Sequence, residues 1–429
     1  MMADKARRSH ISAKIRSNSS TSLSERIGQL SVRRLALKPL MMITMTIIVV
    51  PESIIRLLVP SYPLNHELVM PFIMIFTFIY GLLRKKSGFG RSTIAILLYC
   101  VLIVVISRWF GQPLSYPASM YMRVATIATL FDCAFRDGDE ELIEALADAL
   151  LVISLLNLAE TLRYGDLLQG TMGRTFLLGF DNGVIITTLP TLVVNLMVCF
   201  IKKRVFCLRS LVSTLTVTAT VIVTDSSTST VGFAVFWLTV MILLISKNVP
   251  HMPLNACKVI VVIPLLVFYW VVLLRTQRYL TGLVVNVLHR EMTFTGRTIL
   301  WDIAMPRIVD SPIMGYGLNP ESQRLIFFGV SAAHNQILDI LYQTGIVGFI
   351  CYVLIVLPFF YSNRSWIKSK SYDSLCMSVL MGAIFAFLIM MQFESYSSYV
   401  SFGLILSLFV AFESVAESVE CATMEGGTR

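Results

Sequence analysis

Charge is scarce in this chain. Asp, Glu, Lys and Arg make up 14% of its 429 residues, against about 25% in a soluble domain. Hydrophobic residues make up 56%, and the mean hydropathy is +0.75. That balance excludes an ordinary soluble enzyme, because so much apolar surface aggregates unless lipid is the solvent. Cysteine patterns that hold metals or staple loops are missing too. None of the eight cysteines sits in a CxxC pair, and most fall inside apolar runs, where a thiol packs as a small hydrophobe. The stretch 275–333 has no cysteine, so neither a disulfide nor a thiolate metal site is expected. His289 and Glu291 lack a third ligand at suitable spacing. His10, His66 and His251 read as surface residues. No cleavable signal peptide is read, and the first apolar run, near Leu40, is expected to stay as an anchor.

What is present is a succession of apolar runs close to the ~20-residue length that spans a bilayer. They lie at 40–59, 64–83, 92–110, 114–134, 142–160, 182–201, 207–224, 229–246, 257–274, 336–361, 374–392 and 396–412. The expected fold is an all-α, polytopic transmembrane bundle. It divides into a basic tail (1–39), membrane helices 1–9 (40–274), a large outer loop (275–335), membrane helices 10–12 (336–412) and a short tail (413–429). The runs at 114–134 and 142–160 are the weakest, because they hold Arg123, Asp132, Glu144 and Asp148. Glu52 and Arg56, spaced i, i+4, are expected to pair within the first run.

A net charge of +9 would suggest nucleic acid in a soluble protein. Here the basic residues gather in the N-terminal tail, Arg84–Arg91, Lys202–Arg209 and Arg364–Lys370. The positive-inside rule accounts for that pattern and puts both termini in the cytoplasm, with no nucleic-acid partner. Several arginines break the rule by lying in the outer loop. Basic groups there are not needed for topology and suit an anionic ligand.

That loop carries a helical pattern, Arg297 to Ile308, with Arg297, Trp301, Ala304 and Ile308 on one face. Thr295 is its expected cap, and Asp310-Ser-Pro312 its end. Pro312-Ile-Met-Gly315-Tyr-Gly317 follows as a turn-rich stretch. His334 then stands at a helix mouth, with Asn335 the expected N-cap. Asn335, Asp339 and Tyr342 form a polar stripe at i, i+4 and i+7, and such intramembrane polar groups usually face a cavity. Gly345 and Gly348 are expected to permit close helix packing. Gly173-Arg174 to Asp181-Asn182 places a second guanidinium on the outer face, beside a helix start suited to an anion. Thr224–Thr230 reads as a plain connecting loop.

His334-Asn335, nine residues, Gly345, two residues, Gly348 resembles the motif of the bacterial O-antigen ligase/polymerase superfamily. Gly296-Arg297-Thr with Trp301, then Pro312-xx-Gly315-x-Gly317, is similar to its periplasmic-loop signature. The match covers roughly residues 290–350, and the Thr-Gly-Arg-Thr form looks most like exopolysaccharide polymerases of the ExoQ type. The resemblance implies a GT-C-like fold in the bacterial inner membrane. It implies an inverting glycosyltransferase that needs no metal or other cofactor. The partners it implies are an undecaprenyl-diphosphate-linked glycan donor, a glycan acceptor and the lipid bilayer, with room for a chain-length regulator. Catalysis would fall to His334 and Arg297. Arg174, Asn335, Asp339 and Tyr342 would bind substrate. An O-antigen ligase acting on lipid A–core shares these residues. A lipid-linked oligosaccharide flippase is the reading from another class, with less use for a large loop that ends in a histidine.

Overall fold

The computed structural model describes residues 37–51, 54, 63–167, 174–246, 256–276, 296–318, 332–361, 372–397 and 400–426. The Glu52–Arg56 pair, Thr295, His289 and Glu291, most of the N-terminal tail and much of the large loop lie outside them.

The described chain is all-α apart from one small hairpin. Its helices are α1 (Leu37–Val49), α2 (Pro63–Arg84), α3 (Arg91–Trp109), α4 (Ser115–Arg136) and α5 (Glu140–Tyr164). The hairpin β1 (Thr175–Phe176) and β2 (Gly179–Phe180) comes next, pairing Thr175 with Phe180. Then follow α6 (Ile185–Ile201), α7 (Leu208–Thr224), α8 (Ser227–Ser246) and α9 (Ala256–Val267), which runs on as a π-helical turn through Leu273. The series ends with α10 (Arg297–Asp310), α11 (Gln336–Tyr361), α12 (Tyr372–Met390) and α13 (Phe402–Gly426).

Among the described residues, six helices are long and apolar enough to cross a membrane: α3, α5, α8, α9 with its π turn, α11 and α12. They make this a multi-pass membrane protein. Their outward faces carry aliphatic side chains such as Leu98, Val101, Leu238 and Ile245, as a lipid-facing surface requires. In hydrocarbon each backbone polar group must be paired within the chain, which is why helices dominate.

The centre of the bundle is α4, α6, α12 and α13. Helix α4 packs on α13, α8 on α12 and α5 on α6. The charges that weakened the fourth and fifth runs are accommodated by pairing. Asp132 accepts from Arg136 at 3.0 Å, Glu144 meets Lys202 at 2.6 Å, and Asp148 meets both Lys38 and Arg209. Arg123 is buried in α4. At the same end of the bundle, Glu413 of α13 accepts the backbone N–H groups of Arg91 and Ser92. It thereby caps α3 from another helix, satisfying donors that every helix start leaves open.

Helix α11 is broken at Gly345, whose φ of 59° and ψ of −159° lie outside helical values. The segment after α10 is laid into the break. Ile346 and Val347 would normally donate to the carbonyls of Tyr342 and Gln343. They donate instead to Pro312 and Ile313, at 2.8 and 3.3 Å. The two released carbonyls accept from Tyr316 and Gly317, at 2.9 and 2.8 Å. No buried backbone group is stranded by the exchange. A Cβ on Gly345 would stand 2.3 Å from the Ile313 carbonyl, and one on Gly315 would stand 2.5 Å from the Tyr342 oxygen. Gly345 therefore serves the entry of a loop strand rather than the helix–helix packing expected of it.

Candidate functional site

The site forms where four separate segments meet at one end of the bundle. The first is α10. Its N-cap is Gly296, in a left-handed conformation at φ 83°, and this turn releases Arg297 as the first helical residue. Trp301 and Ala304 bury the face shared with Arg297, so the helix is held by its apolar stripe. Arg275 lies over the Trp301 ring at 4.8 Å and pairs with Asp302 at 2.6 Å, which fixes the other side of α10.

The second segment is the approach to α11. Asn335 caps the helix as its residue type suggests, its Oδ1 accepting from Ile337 and Leu338 at 3.1 and 3.0 Å. The residue before it, His334, has φ 49°. Left-handed backbone is uncommon outside glycine and is held in place at a cost of about 1–3 kcal/mol, most often at functional positions. Here it turns the imidazole away from the helix axis.

The third segment, between α12 and α13, supplies Glu394. Its carboxylate is 1% exposed and bridges the two bases. One oxygen accepts from the Arg297 guanidinium, and the other lies 3.0 Å from His334 Nδ1. The fourth segment adds the Asn182 side chain, which donates to the same carboxylate. Burial alone would raise the Glu394 pKa. The His334 hydrogen bond and the Arg297 charge outweigh it and hold the carboxyl below its usual value. An ionised carboxylate only accepts, so His334 donates from Nδ1, which in the neutral ring leaves Nε2 as an acceptor. Arg297 and His334 keep 21% and 28% of their side chains exposed. Both are therefore reachable while the acid behind them is not.

The structure thus brings Arg297 and His334 onto one carboxylate. Arg174 is not among the partners of Glu394. It is exposed at the foot of the hairpin, where its carbonyl accepts from Asp181, the neighbour of Asn182, at 3.1 Å. The Thr224–Thr230 turn joins this region, since Ser229 donates to the Asp181 carbonyl at 3.3 Å. Asn335, Asp339 and Tyr342 are buried beneath the two bases. Asp339 Oδ2 accepts from Ser395 and Ser397, both at 2.5 Å, and from Gln343 at 2.8 Å. That grip holds the residues after Glu394. Tyr342 packs its ring on Tyr316 at 5.1 Å. Among the described residues, no three His, Cys, Asp or Glu side chains gather as a metal cage.

Residues 212–353 match the family described as O-antigen ligase. This stretch is similar to a domain of the O-antigen ligase/polymerase superfamily. The matched stretch runs from α7 into α11 and includes Arg297, His334 and both motif glycines. No curated protein matches the chain. The match points to polysaccharide biosynthesis of the O-antigen ligase/polymerase type. Glu394 and Asn182 fall outside the match, and reading the sequence missed Glu394. A signal was there: it is the sole charged residue between 374 and 412, and an isolated acid among spans is costly unless it serves a site.

Proposed function

We propose that this protein is an inverting glycosyltransferase that polymerises repeat units carried on undecaprenyl diphosphate at the periplasmic face of the inner membrane. The observation that carries the proposal is the buried Glu394 carboxylate shared by Arg297 and His334. It fixes an imidazole with Nε2 available beside a guanidinium, which is what transfer from a diphosphate to an alcohol needs. His334 Nε2 takes the proton of the acceptor hydroxyl as its oxygen bonds to the anomeric carbon. The anomeric C–O bond to phosphate breaks, and its electron pair leaves on the diphosphate. Arg297 stabilises that growing charge, and Arg174 is the second guanidinium proposed to do so. Glu394 stabilises the imidazolium formed. A diphosphate is already a good leaving group, so these residues account for the step without a metal. Asn335 and Asp339 serve by holding His334 and the Glu394 turn.

The test is product formation by the purified protein with a defined lipid-linked donor. Lengthened lipid-linked chains are expected from the wild type, with losses of about 10²–10⁴-fold in His334→Ala and a comparable loss in Arg297→Ala. Full turnover by both variants would remove the assignment. Transfer to lipid A–core instead of a second lipid-linked unit would make the protein a ligase.

A further inference from the structure

The end of α6 far from the Glu394 site carries a pair of thiols in contact. Helix α6 starts at Ile185, just after Asn182, and its 17 residues cover about 25 Å. Cys199 sits in its last turn, and Cys207 is the N-cap of α7. Their sulfurs lie 3.0 Å apart. Seven residues separate the two in sequence, a spacing that predicts no pairing, and a tight chain reversal supplies it. The Lys203 N–H donates to Phe200 at 2.9 Å and the Arg204 N–H to the Cys199 carbonyl at 2.8 Å. Lys203 takes a left-handed conformation, φ 57°, to make the reversal. Arg209, at the start of α7, reaches back to Asn195 of α6 at 3.0 Å and pairs with Asp148 of α5. The two thiols are thus held together by the backbone and by neighbouring side chains.

They differ in access. Cys199 is 2% exposed, whereas Cys207 is partly exposed and follows a turn that exposes Lys202, Lys203 and Arg204. The Cys207 sulfur accepts from the Ser210 N–H, and the Ser210 hydroxyl accepts from the Cys207 N–H at 3.1 Å. A helix start and nearby cations both favour thiolate, the form that attacks a disulfide. A disulfide bond is about 2.05 Å long, so the sulfurs need approach by only about 1 Å, a shift within reach of side-chain torsions.

We infer that Cys199 and Cys207 are a reversible dithiol–disulfide site on the face that the positive-inside rule assigns to the cytoplasm. Its oxidant is a small disulfide of the glutathione class. The Cys207 thiolate attacks one sulfur of that disulfide, the S–S bond breaks, and a small thiolate leaves with the electron pair and takes the Cys199 proton. The Cys199 sulfur then attacks Cys207 Sγ and expels the second small thiolate, which is protonated from water. Two protein thiols and one small disulfide become one protein disulfide and two small thiols. Burial sets the order, because a small disulfide does not reach a sulfur that is 2% exposed. Cytosolic disulfides are mostly transient or redox-sensing, and a contact already made in the reduced protein suits a bond that forms and breaks without repacking the bundle.

The test equilibrates the full-length protein in lipid nanodiscs with glutathione mixtures of stepped oxidised-to-reduced ratio. Acid stops the exchange, free thiols are alkylated after denaturation, and tryptic peptides are mapped by mass spectrometry. Trypsin cuts at Lys202–Arg204, between the two cysteines, so a bond joining them links two peptides. Cys199 and Cys207 are expected to lose alkylation together along one two-electron curve, as a linked pair, and to regain it with dithiothreitol. Cys199→Ser should hold glutathione on Cys207 at about tenfold the wild-type level or more, because the mixed disulfide has no resolving thiol. Cys207→Ser should leave Cys199 open to alkylation throughout. Three wild-type results overturn the inference: both thiols free across the series, glutathione held on Cys207 beside a free Cys199, or either cysteine linked to another such as Cys257. The readout needs no glycosyl transfer, so it stands or falls apart from the proposed activity.

Discussion

Replacing Glu394 with Gln keeps the shape of the side chain and removes its charge. In the wild type the carboxylate makes charge-assisted bonds to Arg297 and His334. The second gains strength during reaction, because His334 becomes an imidazolium as it accepts the proton. A hydrogen bond to a charged group contributes about 1.5–3 kcal/mol. At about 1.4 kcal/mol per factor of ten, kcat should fall about 10–150-fold in Glu394→Gln. The donor KM should fall or hold still, since Arg297 loses its competing anion and keeps its full charge for the diphosphate. Steady-state kinetics with a defined lipid-linked donor, on protein that is still folded at the assay temperature, measures both numbers. A kcat within about threefold of wild type, or a donor KM that rises with kcat intact, would show that Glu394 merely holds the fold and that the base is sited elsewhere.

The same carboxyl sets a pH dependence. Its folded pKa lies below the usual 4.5, so its contribution to stability is complete above that value and disappears as pH falls through the lowered one. The thermal midpoint of the wild type should therefore exceed that of Glu394→Gln at pH 6, with the gap closing only below the ordinary carboxylate range. Gly345→Ala adds a Cβ 2.3 Å from the Ile313 backbone as well as a left-handed residue, and should cost about 2–5 kcal/mol in total. Gly296→Ala has open space around it and should cost only about 1–2 kcal/mol; thermal unfolding in detergent compares the two. Asp339→Asn takes the charge from the carboxylate whose Oδ2 accepts from Ser395, Ser397 and Gln343, and should lower the midpoint together with kcat. Cysteines placed at the exposed Ile313 and Phe206 positions should react with a membrane-impermeant maleimide from opposite sides of the membrane, the first from the periplasm.

Hydropathy made the helices legible because each apolar run must close its own backbone bonds in lipid. The runs at 92–110 and 207–224 appear as Arg91–Trp109 and Leu208–Thr224. The run at 182–201 loses its first residues, because α6 starts at Ile185 and Asn182 is turned toward Glu394. Arg297 and His334 were legible through a local motif. Glu394 was not, since it meets Arg297 from 97 residues away and His334 from 60, and no periodicity reports such a convergence. The glycines lie between these cases. Their spacing is visible in sequence, but a sequence does not say that a helix opens at Gly345 to admit residues 312–317.

That opening explains why one motif holds both a turn-rich loop and a pair of helix glycines. Two hydrogen bonds of α11 are exchanged for four with the loop segment, so the strand leaving α10 becomes part of the helix that begins beside His334. The register between the two is then set by backbone atoms, which have no rotamers to relax into. Arg297 starts the helix whose end is clamped in this way, and His334 precedes the helix that clamps it. Their separation is fixed before any substrate arrives, and Glu394 finds both within reach because that distance cannot drift. A substitution at Gly315 or Gly345 should for that reason impair the pairing of Arg297 and His334 with Glu394, although neither glycine touches the three side chains.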